Sequence, residues 1–392
     1  MKQKVLYELG VEALSNSQAD RAVGYLRQAV DMTGGDRRLR AQASLWLGDA
    51  LYDCERYADA ARAYEAAIDG KIKENLPLAY YGLAYSQYKR EEYKAAAANF
   101  ARAAANVTAQ SGASSSLAAM KQDATLRQAD CLYYTGQYAE AGRLYDRAQA
   151  EGGPEADYAL YRHAVMMGLA GKLDKKTDEL AQLERLYPES RWLAPALQEL
   201  ALTYEEQGRK TDAADAYKRR LDALGGNVDM DELLRMADSM REAGRSEDLL
   251  DVIARIHRAG SLSADEAADI DLYEADALSD LGRYGEAEPI YANLAANTSS
   301  LPGSKAAVML AENLLKQRDF DAARQAMEEF TEAGTPHEYW LARAYIALAD
   351  AYHGLGQTSL GREYLVSLRE NYPGDEPEIA QMIDSRLKSW KQ

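Results

Sequence analysis

The sequence predicts an all-α solenoid, built from about ten helix-turn-helix repeats and followed by one C-terminal helix. Two observations support this fold class: a small residue recurs every 35 to 45 positions, and a large apolar residue follows each one sixteen positions later. A period of this length, composed of two short helices, is typical of α-solenoids, in which each repeat buries its apolar face against its neighbours. The recurring small residues, called anchors below, are Gly10, Gly48, Ala84, Ala129, Ala164, Ala201, Ala237, Ala275, Ala311 and Ala349.

The large residues sixteen positions after the anchors predict the second helix of each repeat. Their spacing places one bulky side chain of the second helix opposite the small anchor of the first. These residues are Leu26, Tyr64, Phe100, Tyr145, Leu180, Tyr217, Ile253, Tyr291, Met327 and Leu365.

A turn is predicted seven positions after each anchor, and glycine occupies it in six repeats. Glycine ends helices readily because it adopts the left-handed conformation without a Cβ clash. The six glycines are Gly136, Gly171, Gly208, Gly244, Gly282 and Gly356.

We predict a single solenoid over residues 1–392, with repeats beginning near residues 3, 41, 77, 122, 157, 194, 230, 268, 304 and 342. Residues 375–392 are predicted to form a capping helix, because Ile379, Ile383 and Leu387 form part of an apolar stripe at helical spacing. Solenoid ends need such a cover. The N-terminal end shows no equivalent helix, so we expect the chain to be the C-terminal segment of a longer protein.

The charge, apolar content and cysteine spacing of the chain argue against a nucleic-acid partner, a membrane span and a zinc site. Lys and Arg total 46 against 63 Asp and Glu, giving a formal charge of −17, so a nucleic-acid partner is not expected. No apolar run approaches the ~20 residues of a membrane span. Cys54 and Cys131 lie two repeats apart and show no zinc-binding spacing.

Histidine placement gives no indication of catalysis. The four histidines are scattered and lack a carboxylate at ligand spacing in the sequence, and no phosphate-binding glycine loop or nucleophile motif occurs. We therefore expect no enzyme activity, no cofactor and no metal. His163 is expected to be a partly buried residue with a hydrogen bond. The four residues are His163, His257, His337 and His353.

Two segments resemble the tetratricopeptide repeat (TPR): LWLGDALYDCERYADAARAYEAAI and YYGLAYSQYKREEYKAAAANFARA. The second segment contains large–x–x–Leu–small in its first helix, the first segment has Leu–small at the same place, and both contain small–x–x–x–aromatic–x–x–Ala in the second helix. The resemblance covers essentially the whole chain. It implies a right-handed α-α superhelix whose first helices line a concave groove, and a protein-binding function rather than catalysis.

A narrower resemblance concerns the compartment. The segment LERLYPESRWLAPALQELALTYEEQGRKTDAADAYKRRL resembles repeats of periplasmic TPR proteins such as the BamD-type assembly lipoproteins and the Tol-Pal accessory protein. The segment GTPHEYWLARAYIALADAYHGLGQTSLGREYLVSLRENYPGD resembles the end of long TPR proteins from Gram-negative envelopes. The implied location is periplasmic or outer-membrane-associated, with a cytoplasmic location as the alternative.

The position directly after the anchor is acidic in six of ten repeats, far above the average acidic content of the chain. One interpretation is an acidic series along the groove that binds basic groups of a partner. The other is that each acid pairs with a basic residue of the next repeat, a contact worth about 0–1 kcal/mol at an exposed site. The six acids are Asp49, Asp130, Asp238, Asp276, Glu312 and Asp350.

Tyrosines gather at the predicted groove positions of the N-terminal half. Tyrosine is frequent at binding hot spots because it offers a large contact area with a polar end. Here it either binds a partner or packs between neighbouring first helices. The candidate residues are Tyr52, Tyr81, Tyr85, Tyr88, Tyr133 and Tyr161.

These observations favour a non-enzymatic scaffold that binds a protein or peptide in its concave groove, in a bacterial envelope complex. The groove over repeats two to five is predicted to take a peptide, with Asp49 and Asp130 holding its basic groups. Two alternatives remain: a structural or oligomerising segment of a longer solenoid, and a regulatory domain of a multidomain protein.

Overall fold

The structure is a computed structural model that describes residues 1–107, 115–225, 228–260 and 262–390. Within these ranges, the regular elements are 21 α-helices and no strand is present. The predicted all-α class is therefore confirmed. The chain forms two compact units, Met1–Tyr204 and Glu205–Gln392.

The first unit contains five helix pairs and most of an eleventh helix, which ends just past its boundary. Helix α3 begins four residues earlier than its predicted repeat, because the Asp36 side chain accepts a hydrogen bond from the Arg38 amide and caps the helix. The helices are α1 (Lys2–Ser15), α2 (Ala19–Asp31), α3 (Arg37–Asp53), α4 (Tyr57–Asp69), α5 (Leu76–Lys89), α6 (Tyr93–Val107), α7 (Ser115–Tyr134), α8 (Tyr138–Glu151), α9 (Ala156–Leu169), α10 (Leu173–Leu186) and α11 (Leu193–Glu206).

The long interval between the third and fourth anchors is partly helical. Helix α7 begins at Ser115, seven residues before the predicted start of its repeat, and α6 continues to Val107. Residues 108–114 lie outside the described residues.

The second unit continues the alternation of helices. Its helices are α12 (Lys210–Leu224), α13 (Met230–Glu242), α14 (Ser246–Ala259), α15 (Ala264–Asp280), α16 (Tyr284–Ala295), α17 (Leu301–Lys316), α18 (Phe320–Ala333), α19 (Glu338–Gly354), α20 (Thr358–Asn371) and α21 (Pro377–Ser389).

The turn inside each repeat has one fixed conformation. In all ten repeats of the described chain, the residue seven positions after the anchor has a positive φ, between 55° and 81°. The six predicted glycines account for six turns. The other four are formed by residues with a side chain, which adopt the left-handed conformation at a cost of roughly 1–2 kcal/mol each. These residues are Ser17, Glu55, Glu91 and Arg318.

The anchors and the large residues sixteen positions later belong to the buried core of the repeats. Every such large residue is at most 2% exposed, and every alanine anchor is fully buried. A Cβ added to Gly48 would lie 2.5 Å from the Tyr64 ring, and one added to Gly10 would lie 2.5 Å from Leu26 Cγ. The anchors are small because the second helix approaches them this closely.

Packing in each unit runs between sequence neighbours. From α1 to α10 in the first unit, and from α12 to α21 in the second, every helix contacts the next one along the chain. First helices of successive repeats also touch, as α1 does α3 and α17 does α19. This nearest-neighbour pattern is the one that solenoids use to build a core without a closed domain.

Helix α21 covers the end of the last repeat. Ile379 and Ile383 are both 1% exposed and join a buried cluster with Leu365 and Ile346. The Arg362 guanidinium donates to the carbonyls of Leu387 and Trp390 and so satisfies the C-terminal end of α21.

We expect Ile383→Ala to lower the free energy of unfolding by about 2–5 kcal/mol, because a buried side chain is replaced by a cavity. Gln381→Ala, which changes an exposed residue of the same helix, should stay within about 0.5 kcal/mol of the unchanged protein. Urea denaturation followed by circular dichroism compares the two. Equal stabilities would show that α21 does not act as a cap.

Candidate functional site

Asp130 is the most enclosed acid of the series. It is 3% exposed and accepts hydrogen bonds from the hydroxyls of Tyr145 and Tyr158, each at 2.6 Å. Arg127 donates to its other oxygen at 2.7 Å, and the Arg162 guanidinium lies 4.0 Å away. The carboxylate is therefore surrounded by donors of its own chain.

The two arginines extend this network across three helices. Arg127 also pairs with Asp123 and with Glu155, and its guanidinium lies over the Tyr158 ring at 5.4 Å. Arg162 lies over the Tyr133 ring at 4.3 Å. A buried carboxylate held by several donors and by nearby cations stabilises the stacking of repeats four and five.

Asp49 is surrounded very differently. Its carboxylate is half-buried and accepts one hydrogen bond, from the Tyr64 hydroxyl at 2.6 Å. Burial raises the pKa of Asp49 to about 6, the Tyr64 hydrogen bond offsets part of this rise, and nearby Asp53 adds to it. Among the ion pairs of the described residues, none joins Asp49 to a Lys or Arg.

Residues of the next repeat explain why Asp49 has no lysine or arginine partner. Two register positions of that repeat, six and two residues before its anchor, supply the donors to the acid of the preceding repeat. For Asp130 these positions hold Tyr158 and Arg162. For Asp49 they hold Leu78 and Gly82, neither of which carries a donor on its side chain.

In the second unit, the four acids that directly follow an anchor all have hydrogen-bonding or ion-pair partners. Asp276 accepts from Lys305 and from the Tyr291 hydroxyl, each at 2.6 Å. Glu312 is bound by Arg343 of the next repeat.

The remaining two acids have different partners. Arg386 of α21, which follows the last repeat, holds both oxygens of Asp350 at 2.7 Å. Asp238 is exposed, with the Tyr273 hydroxyl of the next repeat at 3.1 Å and Arg241 of its own helix at 3.6 Å. The predicted pairing of the acid with a basic residue of the next repeat is thus present for three of the six acids, Asp130, Asp276 and Glu312.

A hydrogen bond between a tyrosine of the second helix and the acid after the anchor recurs in the structure, and the sequence analysis did not predict it. In three repeats the large residue of the second helix is a tyrosine, and its hydroxyl donates to the acid fifteen positions earlier. The third repeat differs, because its large residue is Phe100 and the position after the anchor holds Tyr85 instead of an acid. The Tyr85 hydroxyl donates to Asp123 of the next repeat at 2.6 Å. The 27 tyrosines against 3 phenylalanines reflect in part this use of buried hydroxyls.

All six candidate tyrosines are half-buried. Tyr81 and Tyr85 both donate to Asp123 at 2.6 Å, and their rings meet edge to face with centroids 4.9 Å apart. Tyr161 stacks on Trp192, a residue that the sequence analysis did not select, at 5.4 Å. Tyr81, Tyr85 and Tyr161 are therefore packed side chains of the fold.

The other three candidates pair with the tyrosine that begins the second helix of their own repeat. Centroid distances are 5.2 Å for Tyr52 with Tyr57, 5.5 Å for Tyr88 with Tyr93, and 5.6 Å for Tyr133 with Tyr138. Each pair lies at the turn between the two helices. Tyr138 is 44% exposed, so aromatic surface faces solvent beside the turn between the two helices of the fourth repeat.

The histidines are distributed mostly as expected. His163 is buried and its Nδ1 lies 2.9 Å from Glu179, which confirms the predicted buried histidine with a hydrogen bond. His353 stacks on Trp390 and contacts Thr358. His257 lies near two carboxylates, Asp271 and Glu274, which are too far away in the sequence to form a recognisable ligand spacing. Within the described ranges, no helix combines the length and the apolarity that a membrane crossing requires.

We expect Asp49→Asn to raise the free energy of unfolding at pH 7.5, because the amide keeps an acceptor for Tyr64 without an unpaired buried charge. The ordinary pKa of 3.8 is raised to about 6 on folding, so the stability cost of ionising Asp49 develops between about pH 4 and pH 6 and is fully present above pH 6. The gain from Asp49→Asn should therefore vanish near pH 4. Two pKa units correspond to a gain on the order of 1–3 kcal/mol.

Asp130→Asn is the matched comparison. It should lower stability by about 1.5–3 kcal/mol at pH 7.5, because it removes the charge of a buried carboxylate that Arg127 and two tyrosine hydroxyls bind. Urea denaturation of both variants at the two pH values provides the measurement. A loss of stability for Asp49→Asn at pH 7.5 would refute the assignment of Asp49 as an uncompensated acid.

Comparison with known proteins agrees with this geometry in two segments. Residues 7–77 and 308–376 match the family model of the tetratricopeptide repeat. No curated protein is significantly similar to the sequence.

Several solved structures are similar to the chain. YrrB, described as a TPR protein with an unusual peptide-binding site, is 18% identical over 50% of this chain and 91% of its own, with a TM-score of 0.39. A tetratricopeptide repeat protein from Parabacteroides merdae is 13% identical over 68% of this chain and 98% of its own, with a TM-score of 0.33. TPR-like repeats of a putative kinesin light chain from Podosopora anserina are 16% identical over 46% of this chain and 92% of theirs, with a TM-score of 0.38. The two matched segments lie in different compact units, residues 7–77 in the first and residues 308–376 in the second.

Proposed function

We propose that this protein is a non-enzymatic scaffold that binds a protein or peptide partner, and that Asp49 receives a basic side chain of that partner. TPR folds generally act as protein-interaction scaffolds, which supports the general class. The observation that carries the specific proposal is the uncompensated carboxylate of Asp49 between the second and third repeats.

An unpaired, half-buried carboxylate is costly, and a ligand cation removes that cost on binding. A charge-assisted hydrogen bond in such a position contributes about 1.5–3 kcal/mol to affinity. Since the next repeat offers Leu78 and Gly82 instead of a donor, a lysine or arginine from outside can take the place that Lys305 takes on Asp276.

Aromatic surface lies next to this acid. Tyr52 is three residues after Asp49 on α3, so the two side chains share a helix face. Its half-exposed ring offers a cation–π contact to the same basic group. The formal charge of −17 would steer a basic partner toward the protein at low ionic strength.

The other acids support a narrower site than the sequence suggested. Asp130, Asp276, Glu312 and Asp350 are held by arginines or lysines of this chain, so a partner cation would have to displace an existing ion pair. We therefore assign partner binding to Asp49 and its surroundings, and a structural role to these four acids.

A second candidate function is that of a structural or oligomerising segment. The nearest-neighbour packing and the closed ion pairs favour it, since both stabilise stacking without a ligand. It predicts no preference for basic peptides.

Selection from a random twelve-residue peptide library, displayed on phage, distinguishes the two. We expect the enriched peptides to contain Lys or Arg, and Asp49→Asn to weaken their binding at least tenfold, equivalent to about 1.4 kcal/mol. Binding should also weaken as the pH falls below about 6, because protonation removes the charge of Asp49. Peptides without basic residues, or binding unchanged in Asp49→Asn, would refute the proposal.

Leu78→Lys tests the same site by adding a basic side chain of the protein itself next to Asp49. The new ammonium occupies the register position of Lys305, so it should neutralise Asp49, stabilise the fold and compete with the peptide. Leu186→Lys is the matched control, because Leu186 is 54% exposed and lies on α10. Fluorescence anisotropy with a selected peptide should show weaker binding for Leu78→Lys alone.

For the compartment, we propose a periplasmic or outer-membrane-associated location in a bacterial envelope complex. This rests on the resemblance of residues 183–221 to periplasmic TPR proteins. Fractionation of cells that express the tagged full-length protein should recover it with envelope markers. Recovery with cytoplasmic markers alone would refute the location and leave the peptide-binding proposal untouched.

A further inference from the structure

Three metal-ligating side chains meet in the second unit, where α14 packs against α15. His257 Nε2 lies 3.0 Å from Glu274 Oε2 and 4.0 Å from Asp271 Oδ1. One donor atom of each residue lies within 4.8 Å of the other two. The residues come from two consecutive repeats.

The helices hold these side chains in place. His257 is in the last turn of α14. Asp271 and Glu274 are three residues apart on α15 and so share one helix face. The side chains are between 30% and 42% exposed, which leaves room for an ion to enter with part of its water shell.

The charge balance differs from that of other contacts between repeats. Elsewhere in this unit the acids Asp276 and Glu312 are neutralised by Lys305 and Arg343. Within the described residues, the ion pairs give neither Asp271 nor Glu274 a lysine or arginine. Two carboxylates thus share one imidazole, and a neutral imidazole leaves two negative charges side by side.

The distances suit a metal ion. Zn²⁺ binds histidine nitrogen and carboxylate oxygen at about 2.0–2.2 Å, which puts neighbouring tetrahedral ligands about 3.4 Å apart. The observed separations lie on both sides of this value, so small side-chain rotations bring the three atoms to it.

We propose that His257, Asp271 and Glu274 bind a divalent transition-metal ion, with water in the remaining positions. One nitrogen and two oxygens favour Zn²⁺ or a similar first-row ion, whereas Mg²⁺ and Ca²⁺ prefer oxygen ligands alone. The ion would clamp the second helix of the seventh repeat to the first helix of the eighth. This site is independent of peptide binding at Asp49.

Isothermal titration of the metal-free full chain with zinc chloride tests the proposal. We expect one site whose affinity falls at least tenfold in His257→Ala. Zinc should raise the melting temperature of the unchanged protein, because an ion bound to the folded state stabilises it. His353→Ala is the control: it also removes an exposed imidazole, but one that contacts Thr358 rather than a carboxylate.

Glu274→Gln and Asp271→Asn complete the test, because they remove charge while nearly preserving shape. Both should keep the helical circular dichroism spectrum and lose zinc affinity. Cobalt titration adds a spectroscopic readout, since the visible absorption of bound Co²⁺ should disappear in His257→Ala. Equal zinc binding by the unchanged protein and His257→Ala, with Cys54 or Cys131 as the ligands, would overturn the proposal. Equal melting shifts with magnesium would overturn the choice of metal.

Discussion

The close approach of two helices at the anchor is the constraint on which the rest of the structure depends. A small residue of the first helix admits a large residue of the second at Gly10 and Gly48, and the residues at both positions are buried in the other repeats as well. Because each repeat buries this pair only with help from its neighbours, cohesion is distributed along each unit. A larger anchor would separate the helices, as the 2.5 Å approach between Tyr64 and a Cβ built on Gly48 shows.

Tyrosine in the large position creates a second requirement. Its hydroxyl is buried with the ring and needs an acceptor, which the acid after the anchor supplies to Tyr64, Tyr145 and Tyr291. That acid is then stabilised by a cation of the next repeat, Arg162 for Asp130 and Lys305 for Asp276. Asp49 accepts from its tyrosine but has no such cation. The candidate site is therefore the one acid of this type whose carboxylate no lysine or arginine of the described residues neutralises.

The sequence was sufficient for the fold because its signals are local. Helix pairing follows from residues seven and sixteen positions after an anchor, and both spacings lie within one repeat. The site was only partly predictable, since the partner of an acid comes from the next repeat at a variable distance. Aligning consecutive repeats would have shown Leu78 and Gly82 opposite Asp49. No motif indicates the contact of His257 with Glu274, because it depends on how α14 crosses α15.

The left-handed turns divide the first unit into two groups of repeats. Its first three repeats place Ser17, Glu55 and Glu91 in that conformation, whereas the fourth and fifth place Gly136 and Gly171 there. A residue with a Cβ pays roughly 1–2 kcal/mol for this conformation, so we expect the first three hairpins to open at a lower free energy than the two glycine-turned ones. Asp49 lies in the second of these three repeats, so we expect the backbone around it to adjust to a ligand more readily than that of the fourth and fifth repeats.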